Sequence, residues 1–157
     1  MGRNHDGSEF AALAGSRQAE LLPLHCPQFS TNEVRLRRAK QRLGVEKIER
    51  VAVSPALLDL RCRLIAVAHD AQVGAVFPNR QGNPYTTQGF AAMWGKLMRE
   101  ALAKKVITRR FTFHDLRAHY TTEHKERPGE LPDLHSSPTT TTAKVYERSG
   151  VARRKAL

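Results

Sequence analysis

Hydrophobic residues recur at helical spacing over much of the chain. Residues 9–24 follow this spacing, and Gly15-Ser16 predicts a break there between two short helices. Ser54-Pro55 predicts the start of a further helix, because serine is a good N-cap and proline suits the first helical position. We expect that helix to run to about Ala71.

The clearest helix begins after Thr86 or Thr87, either of which is a suitable N-cap. Its apolar stripe has the spacing of a buried helix face and consists of Phe90, Met93, Trp94, Leu97, Met98, Ala101 and Leu102. Two more helices are predicted, one from Phe111 to about Lys125 and one from Ser137 to about Ser149.

Alternating apolar and charged residues predict two strands, at residues 33–38 and 48–53. We expect them to form a hairpin whose long connection carries Gly44. A short apolar segment, Ala75-Val76-Phe77, is a candidate third strand. Residues 79–84 form a loop by composition.

Basic residues outnumber acidic ones in this chain. Its 157 residues include 26 Lys and Arg against 15 Asp and Glu, a formal net charge of +11. This balance favours a polyanionic partner, because each neutralised phosphate releases counterions. The charges are clustered, and the residues predicted to bind nucleic acid are Arg35, Arg37, Arg38, Arg42, Lys104, Lys105, Arg109 and Arg110. A basic soluble protein with no such partner and an RNA-binding module are the alternatives.

Cysteine and histidine spacing gives no indication of a metal site. Cys26 and Cys62 fit neither metal-ligand spacing nor a disulfide framework, so buried thiols in a reducing compartment are expected. His114, His119 and His124 are five residues apart, so they point in different directions around a helix. The chain has no apolar run near the ~20 residues of a membrane span and no signal-peptide core. We expect a cytoplasmic protein with no membrane partner.

Candidate chemistry is concentrated in four short motifs. His114-Asp115-Leu116-Arg117 places a histidine and an arginine on one helix face, where they suit the oxygens of a phosphodiester. Arg17 supplies a second arginine in the setting G-x-R-x-x-E-L-L. His135 follows in Leu-His-Ser-Ser-Pro. Tyr146, in Lys-Val-Tyr-Glu-Arg, has a hydroxyl that can attack phosphorus.

These motifs, in this order, resemble the catalytic domain of the tyrosine recombinases, the phage-integrase family. The resemblance implies site-specific recombination of double-stranded DNA by strand cleavage and rejoining, with no metal or other cofactor. It implies that Tyr146 is the nucleophile and forms a 3′-phosphotyrosyl link. Arg17 and Arg117 would clamp the scissile phosphate. His114 would help orient that phosphate and manage the tyrosine's proton, and His135 would bond a non-bridging oxygen.

The family also places a general-acid lysine in the β-hairpin after the first arginine. Lys40 fits that place, and Lys47, across the hairpin, is the alternative. Glu20 and Asp115 belong to the motifs, but structural hydrogen bonding is the role we expect for both. Tyr120 also has a hydroxyl that could act as the nucleophile. It follows Arg117 by three residues on the same helix and would be too close to the clamp to attack in line, so core packing is the better interpretation.

The resemblance implies an α+β fold: a mainly helical catalytic domain with a small antiparallel β-sheet near Lys40. We expect residues 1–157 to be a single catalytic domain without the family's N-terminal DNA-clamping domain, monomeric alone and tetrameric on a DNA synapse when full-length. Tyr146 follows His135 by eleven residues, where the family usually has nine. A non-catalytic DNA-binding remnant of a truncated prophage integrase is therefore the alternative. Type IB topoisomerases share the chemistry, but a chain this short favours a recombinase.

Overall fold

The computed structural model describes residues 3–38, 47–68, 70–125 and 151–157. Along these ranges lie α1 (Arg3–Ala14), α2 (Gln18–Leu21), a 3₁₀ turn (Cys26–Gln28), β1 (Glu33–Arg37), β2 (Ile48–Ala52), α3 (Pro55–Ala66), α4 (Thr87–Ala103), α5 (Phe113–Lys125) and β3 (Val151–Lys155). The predicted hairpin connection and the predicted helix at 137–149 lie outside the described residues.

A sharp break separates α1 from α2, as Gly15-Ser16 predicts. Gly15 has a φ of +58°, in the left-handed region that glycine adopts without strain. Its amide donates to the Ala11 carbonyl at 2.9 Å, which ends α1. Arg17 is extended and forms the N-cap of α2. The helical path of the chain is therefore interrupted within the G-x-R segment.

The strands β1 and β2 pair antiparallel, with Val34 opposite Val51, which confirms the predicted pairing. Val34 and Leu36 are fully buried, whereas Arg35 and Arg37 are exposed. This alternation is the two-residue period of a sheet with one covered face. The small antiparallel pair predicted near Lys40 is present.

The sequence pattern did not predict the third strand, β3. It pairs parallel with β2, with Ile48 opposite Val151, so the sheet is mixed and its order is β1-β2-β3. The predicted strand at residues 75–77 is wrong. Ala75 forms only an isolated bridge with His25, and Val76 donates to the Leu24 carbonyl at 2.9 Å. That segment is apolar because it is buried in the core, outside the sheet.

The predicted caps of α3 and α4 are confirmed. The Ser54 hydroxyl accepts from the Leu57 amide at 3.3 Å, and Pro55 occupies the first helical position. The Thr86 hydroxyl accepts from the Gly89 amide at 3.0 Å, which selects Thr86 over Thr87 as the cap of α4.

The end of α3 comes earlier than predicted, at Ala66 and not near Ala71. The Asp70 carboxylate accepts from the amides of Gln72 and Val73 at 2.8 and 3.2 Å. An aspartate that bonds the backbone in this way forms a turn and competes with the helix. The apolar pattern continues beyond Ala66, but the backbone does not continue as a helix.

Aromatic side chains join the helices into one core. Phe10 of α1 is fully buried and meets Phe29 and Phe77 edge-on, with ring centroids 5.6 and 5.5 Å apart. Phe113 of α5 packs edge-on against Phe90 and Trp94 of α4, at 5.1 and 5.3 Å. The interpretation of the α4 stripe as core is confirmed. Among the helices that the structure describes, none has the length and apolar character to cross a bilayer.

Candidate active site

Arg117 is held inside the protein by the backbone between α1 and α2. Its side chain is 6% exposed, and its Nη1 donates to the carbonyl oxygen of Gly15. A buried guanidinium has to be hydrogen-bonded, because burying an unpaired charge is costly. This contact fixes the arginine of the HxxR motif on the segment that carries Arg17, two residues further on. The Gly15 carbonyl was not recognised from the sequence as the acceptor.

Arg17 is fixed by the carboxylate of Glu20. One Glu20 oxygen accepts from the Arg17 amide and the other accepts from the Arg17 Nη1, both at 2.9 Å. The Glu20 side chain is fully buried, whereas 37% of the Arg17 side chain is exposed. The carboxylate thus orients one edge of the guanidinium and leaves the other part open to solvent. This agrees with the structural hydrogen bonding predicted for Glu20.

His114 lies in the first turn of α5, three residues before Arg117, and is exposed. The neighbouring Asp115 accepts from the Thr112 amide at 2.7 Å and from the Thr112 hydroxyl at 2.8 Å. These two hydrogen bonds, the backbone one first, lower the pKa of Asp115 below its ordinary value. The ionised Asp115 therefore fixes the turn that carries His114, the structural role predicted for it.

Tyr120 is a core residue, as predicted. It is fully buried, and its hydroxyl donates to the carbonyl of Lys155 at the end of β3. Its ring lies against Gly15. The hydroxyl that made Tyr120 a rival nucleophile is thus bonded to backbone.

The basic residues predicted to contact DNA differ in their surroundings. On β1, Arg35 is half-exposed and pairs with Glu33 at 3.2 Å, and Arg37 is exposed. Four others are exposed at the end of α4 and in the loop that follows: Lys104, Lys105, Arg109 and Arg110.

Arg38 does not fit a surface contact. Its side chain is 8% exposed, and its Nη2 lies 3.6 Å from a carboxylate oxygen of Glu49, which is also buried. The strand period of two residues could have indicated this, because Arg38 follows Val34 and Leu36 on the covered face. In the described structure Arg38 faces Glu49 on the neighbouring strand and adds little to the surface charge.

Four predicted residues, Lys40, Arg42, His135 and Tyr146, lie outside the described residues, so their roles stay predictions. Lys47 is described; it is half-buried just before β2, and its carbonyl accepts from the Arg38 amide at 3.0 Å. Within the four described ranges, no group of three or more His, Cys, Asp or Glu side chains could hold a metal ion.

The model of the phage integrase family matches residues 5–132. The chain belongs to the phage integrase family. The matched range contains Arg17, Lys40 and the motif 114–117, and it ends before His135 and Tyr146. No curated protein matches this sequence significantly.

Several solved structures share this fold. A lambda integrase tetramer bound to a Holliday junction has a TM-score of 0.59 and 16% identity, over 83% of this chain and 38% of that one. The Tn1549 transposon integrase in complex with circular intermediate DNA has a TM-score of 0.65 and 18% identity, over 93% and 57%. XerA recombinase has a TM-score of 0.63 and 16% identity, over 94% and 56%.

These likenesses establish the fold, which is that of a tyrosine recombinase catalytic domain. The predicted α+β class, mainly helical with a small antiparallel strand pair, is confirmed. The chain spans between about two fifths and three fifths of the length of these solved proteins.

Proposed function

We propose that this integrase-family chain cleaves and rejoins double-stranded DNA at specific sites, as in phage or prophage integration. The observation that carries the proposal is the Arg117 guanidinium bonded to the Gly15 carbonyl, two residues from Arg17. Two arginines that are distant in sequence are thereby tied to one segment. Such a pair suits one phosphate group, because a guanidinium stays protonated and its planar fork matches paired phosphate oxygens.

The two arginines are held before any substrate arrives. Arg117 is anchored by a buried backbone oxygen and Arg17 by the buried Glu20 carboxylate. Fixed charges of this kind stabilise the charge that develops on phosphorus without further reorganisation. They would supply the neutralisation that a metal ion supplies in other phosphoryl-transfer enzymes.

In the proposed reaction the Tyr146 oxygen attacks the scissile phosphorus, and the bond from phosphorus to the 5′ oxygen breaks. The tyrosine proton must leave, since the ordinary pKa of the hydroxyl is about 10, and His114 is placed in the motif to help accept it. Lys40 would protonate the leaving 5′ oxygen, and His135 would bond a non-bridging oxygen. Attack by a 5′-hydroxyl on the 3′-phosphotyrosine reverses the step, so no ATP is needed.

Double-stranded DNA is the proposed partner, which the net charge of +11 supports. Of the three structural neighbours named above, two are bound to DNA, one of them as a tetramer on a Holliday junction. We propose a tetramer on a DNA synapse for the complete recombinase and a monomer for this chain alone.

Trapping on a nicked suicide substrate tests the proposal, because loss of the short fragment leaves the protein covalently attached to DNA. We expect an adduct with the unsubstituted chain and none with Arg17→Ala or Arg117→Ala. Salt-dependent DNA binding with no adduct would favour the alternative, a non-catalytic DNA-binding remnant.

The general acid can be identified with a modified substrate. A 5′-bridging phosphorothioate leaves as a thiolate and needs no proton, so it should rescue a variant that lacks the acid. We expect rescue of Lys40→Ala and much less of Arg117→Ala. Rescue of Lys47→Ala in place of Lys40→Ala would reassign the acid.

A further inference from the structure

Two arginine side chains converge over a glycine of α4. A Cβ placed on Gly95 would lie 3.6 Å from the Nη2 of Arg110 and 3.8 Å from the Nη1 of Arg99. Both nitrogens are thus within 4 Å of one point and less than 8 Å from each other. Both guanidinium groups thus lie over the helix backbone at Gly95, at ordinary van der Waals distances from where a Cβ would be. Sequence reasoning had included Arg110 among the basic residues but had not singled out Arg99.

Packing holds the loop that carries Arg110 against α4. The indole Nε1 of Trp94, the residue before Gly95, donates to the Phe111 carbonyl at 3.3 Å. The rings of Trp94 and Phe111 also meet edge-on, with centroids 5.7 Å apart. Arg99 comes one helical turn after Gly95 on the same face of α4. The convergence therefore rests on a rigid helix and a loop anchored to it.

Neither guanidinium has an acidic partner in the part of the chain that the structure describes. Glu100, the acidic residue next to Arg99 in the sequence, forms an ion pair with Lys96, with the charged atoms 3.8 Å apart. Both arginines are exposed, and two like charges at this separation repel each other. An anion between them would relieve the repulsion and accept from both.

The geometry points to a second phosphate site, in which Arg99 and Arg110 together bind one phosphate of the DNA backbone away from the scissile bond. This inference rests on the proposed function. A phosphate oxygen accepts a hydrogen bond at about 2.9 Å from a guanidinium nitrogen. Nitrogens less than 8 Å apart can therefore contact two oxygens of the same phosphate group.

The second site lies on α4, the helix that begins beside α2, so the proposal requires one duplex to reach both sites. The Gln18 side chain, next to Arg17, donates to the Thr87 carbonyl at 3.5 Å, which places the start of α4 beside α2. Gly95 is eight residues further, about 12 Å along the helix axis. Three to four base pairs cover that distance at about 3.4 Å each.

Salt-dependent binding of the whole chain to a duplex of arbitrary sequence tests the site. The variants are Arg99→Gln, Arg110→Gln and the double substitution, measured between about 50 and 200 mM salt. A plot of the logarithm of the binding constant against the logarithm of salt concentration has a negative slope. The double variant should make that slope less steep by about one, which corresponds to the loss of one phosphate contact. The changes in binding free energy of the two single variants should not add up to that of the double variant, because both arginines bind one anion.

The matched control is Lys96→Gln with Arg80→Gln, which removes two exposed positive charges that are not part of the Arg99–Arg110 pair. It should change the slope less than the double arginine variant. An equal change in the control, or strictly additive arginine effects, would overturn the shared site while leaving the proposed function intact. Binding to poly-glutamate, an acidic polypeptide, would be measured in parallel. A double arginine variant that loses binding to poly-glutamate but keeps its binding to DNA would also overturn the phosphate site, in favour of an acidic protein partner. An unsubstituted chain that shows no salt-dependent DNA binding would overturn both proposals.

Discussion

The ring of Tyr120 lies against Gly15 so closely that a Cβ at Gly15 would be 2.4 Å from the Tyr120 Cδ1. The same glycine has a φ of +58° and offers its carbonyl to Arg117. One residue without a side chain therefore permits three features at once: the turn between helices, the packing of Tyr120 and the anchoring of Arg117. The glycine of the G-x-R motif is a structural requirement of the arginine pair.

Gly15→Ala should destabilise the fold by roughly 2–5 kcal/mol, because it combines a left-handed backbone with a steric overlap. Chemical denaturation measures the change in unfolding free energy. Gly7→Ala is the matched control, since its Cβ would meet only Phe77 at 3.8 Å, an ordinary contact. We expect that helical substitution to be neutral or to stabilise by up to about 1 kcal/mol. Equal effects of the two substitutions would contradict the close packing of Tyr120 on Gly15.

Glu20→Gln should impair DNA cleavage more than it impairs folding. The amide can keep one of the two hydrogen bonds to Arg17 but loses the charge, so the guanidinium is held less firmly. We expect a stability loss of about 1–2 kcal/mol and a cleavage rate lower by about tenfold or more. Denaturation and adduct formation would be compared on the same samples. A cleavage rate that stays at the parent level would show that Glu20 does not position Arg17 for the reaction.

Asp115→Ala should have a pH-dependent effect on stability. Because hydrogen bonds from Thr112 lower the pKa of Asp115, the unfolded state binds the proton more tightly than the folded state. The stabilisation is present above the ordinary Asp pKa of about 4 and disappears as the pH falls through the lowered value.

Denaturation at several pH values checks this expectation. The unfolding free energy of Asp115→Ala should be below that of the parent at neutral pH, and the two should approach each other in acid. Asp59→Ala is the control, since that side chain is 75% exposed and pairs with Arg63 on the surface at 3.3 Å. A difference for Asp115→Ala that persists undiminished in acid would show that its ionised carboxylate is not what stabilises the turn.

Local signals in the sequence predicted most of the fold. The caps at Ser54 and Thr86 and the alternation around Val34 depend on neighbouring residues, so they can be read without a tertiary structure. The strand β3 could not be recognised in this way. Its residues are mostly basic, and its place in the sheet comes from pairing with β2, about a hundred residues away in the chain.

The candidate site likewise has features that the sequence indicated and others that depend on contacts between distant elements. The resemblance of their motifs to the phage-integrase family implied that Arg17 and Arg117 form a pair, and the structure ties both to residues 15–17. Spacing could not identify the Gly15 carbonyl as the anchor, because that contact requires α5 to lie against the α1–α2 junction. Arg99 was missed for a similar reason, since only the loop fold brings Arg110 back to it.

The role of Tyr146 is tested most directly by locating the tyrosine that carries DNA in a trapped adduct. The chain has three tyrosines. Tyr85 packs edge-on against Phe90 with centroids 6.1 Å apart, and the buried Tyr120 hydroxyl is bonded to Lys155. The measurement is mass spectrometry of the digested adduct, together with trapping by each Tyr→Phe variant. We predict DNA on the Tyr146 peptide, no adduct with Tyr146→Phe, and adducts retained by Tyr85→Phe and Tyr120→Phe. DNA attached at Tyr85 or Tyr120, or an adduct that persists in Tyr146→Phe, would contradict the proposed mechanism.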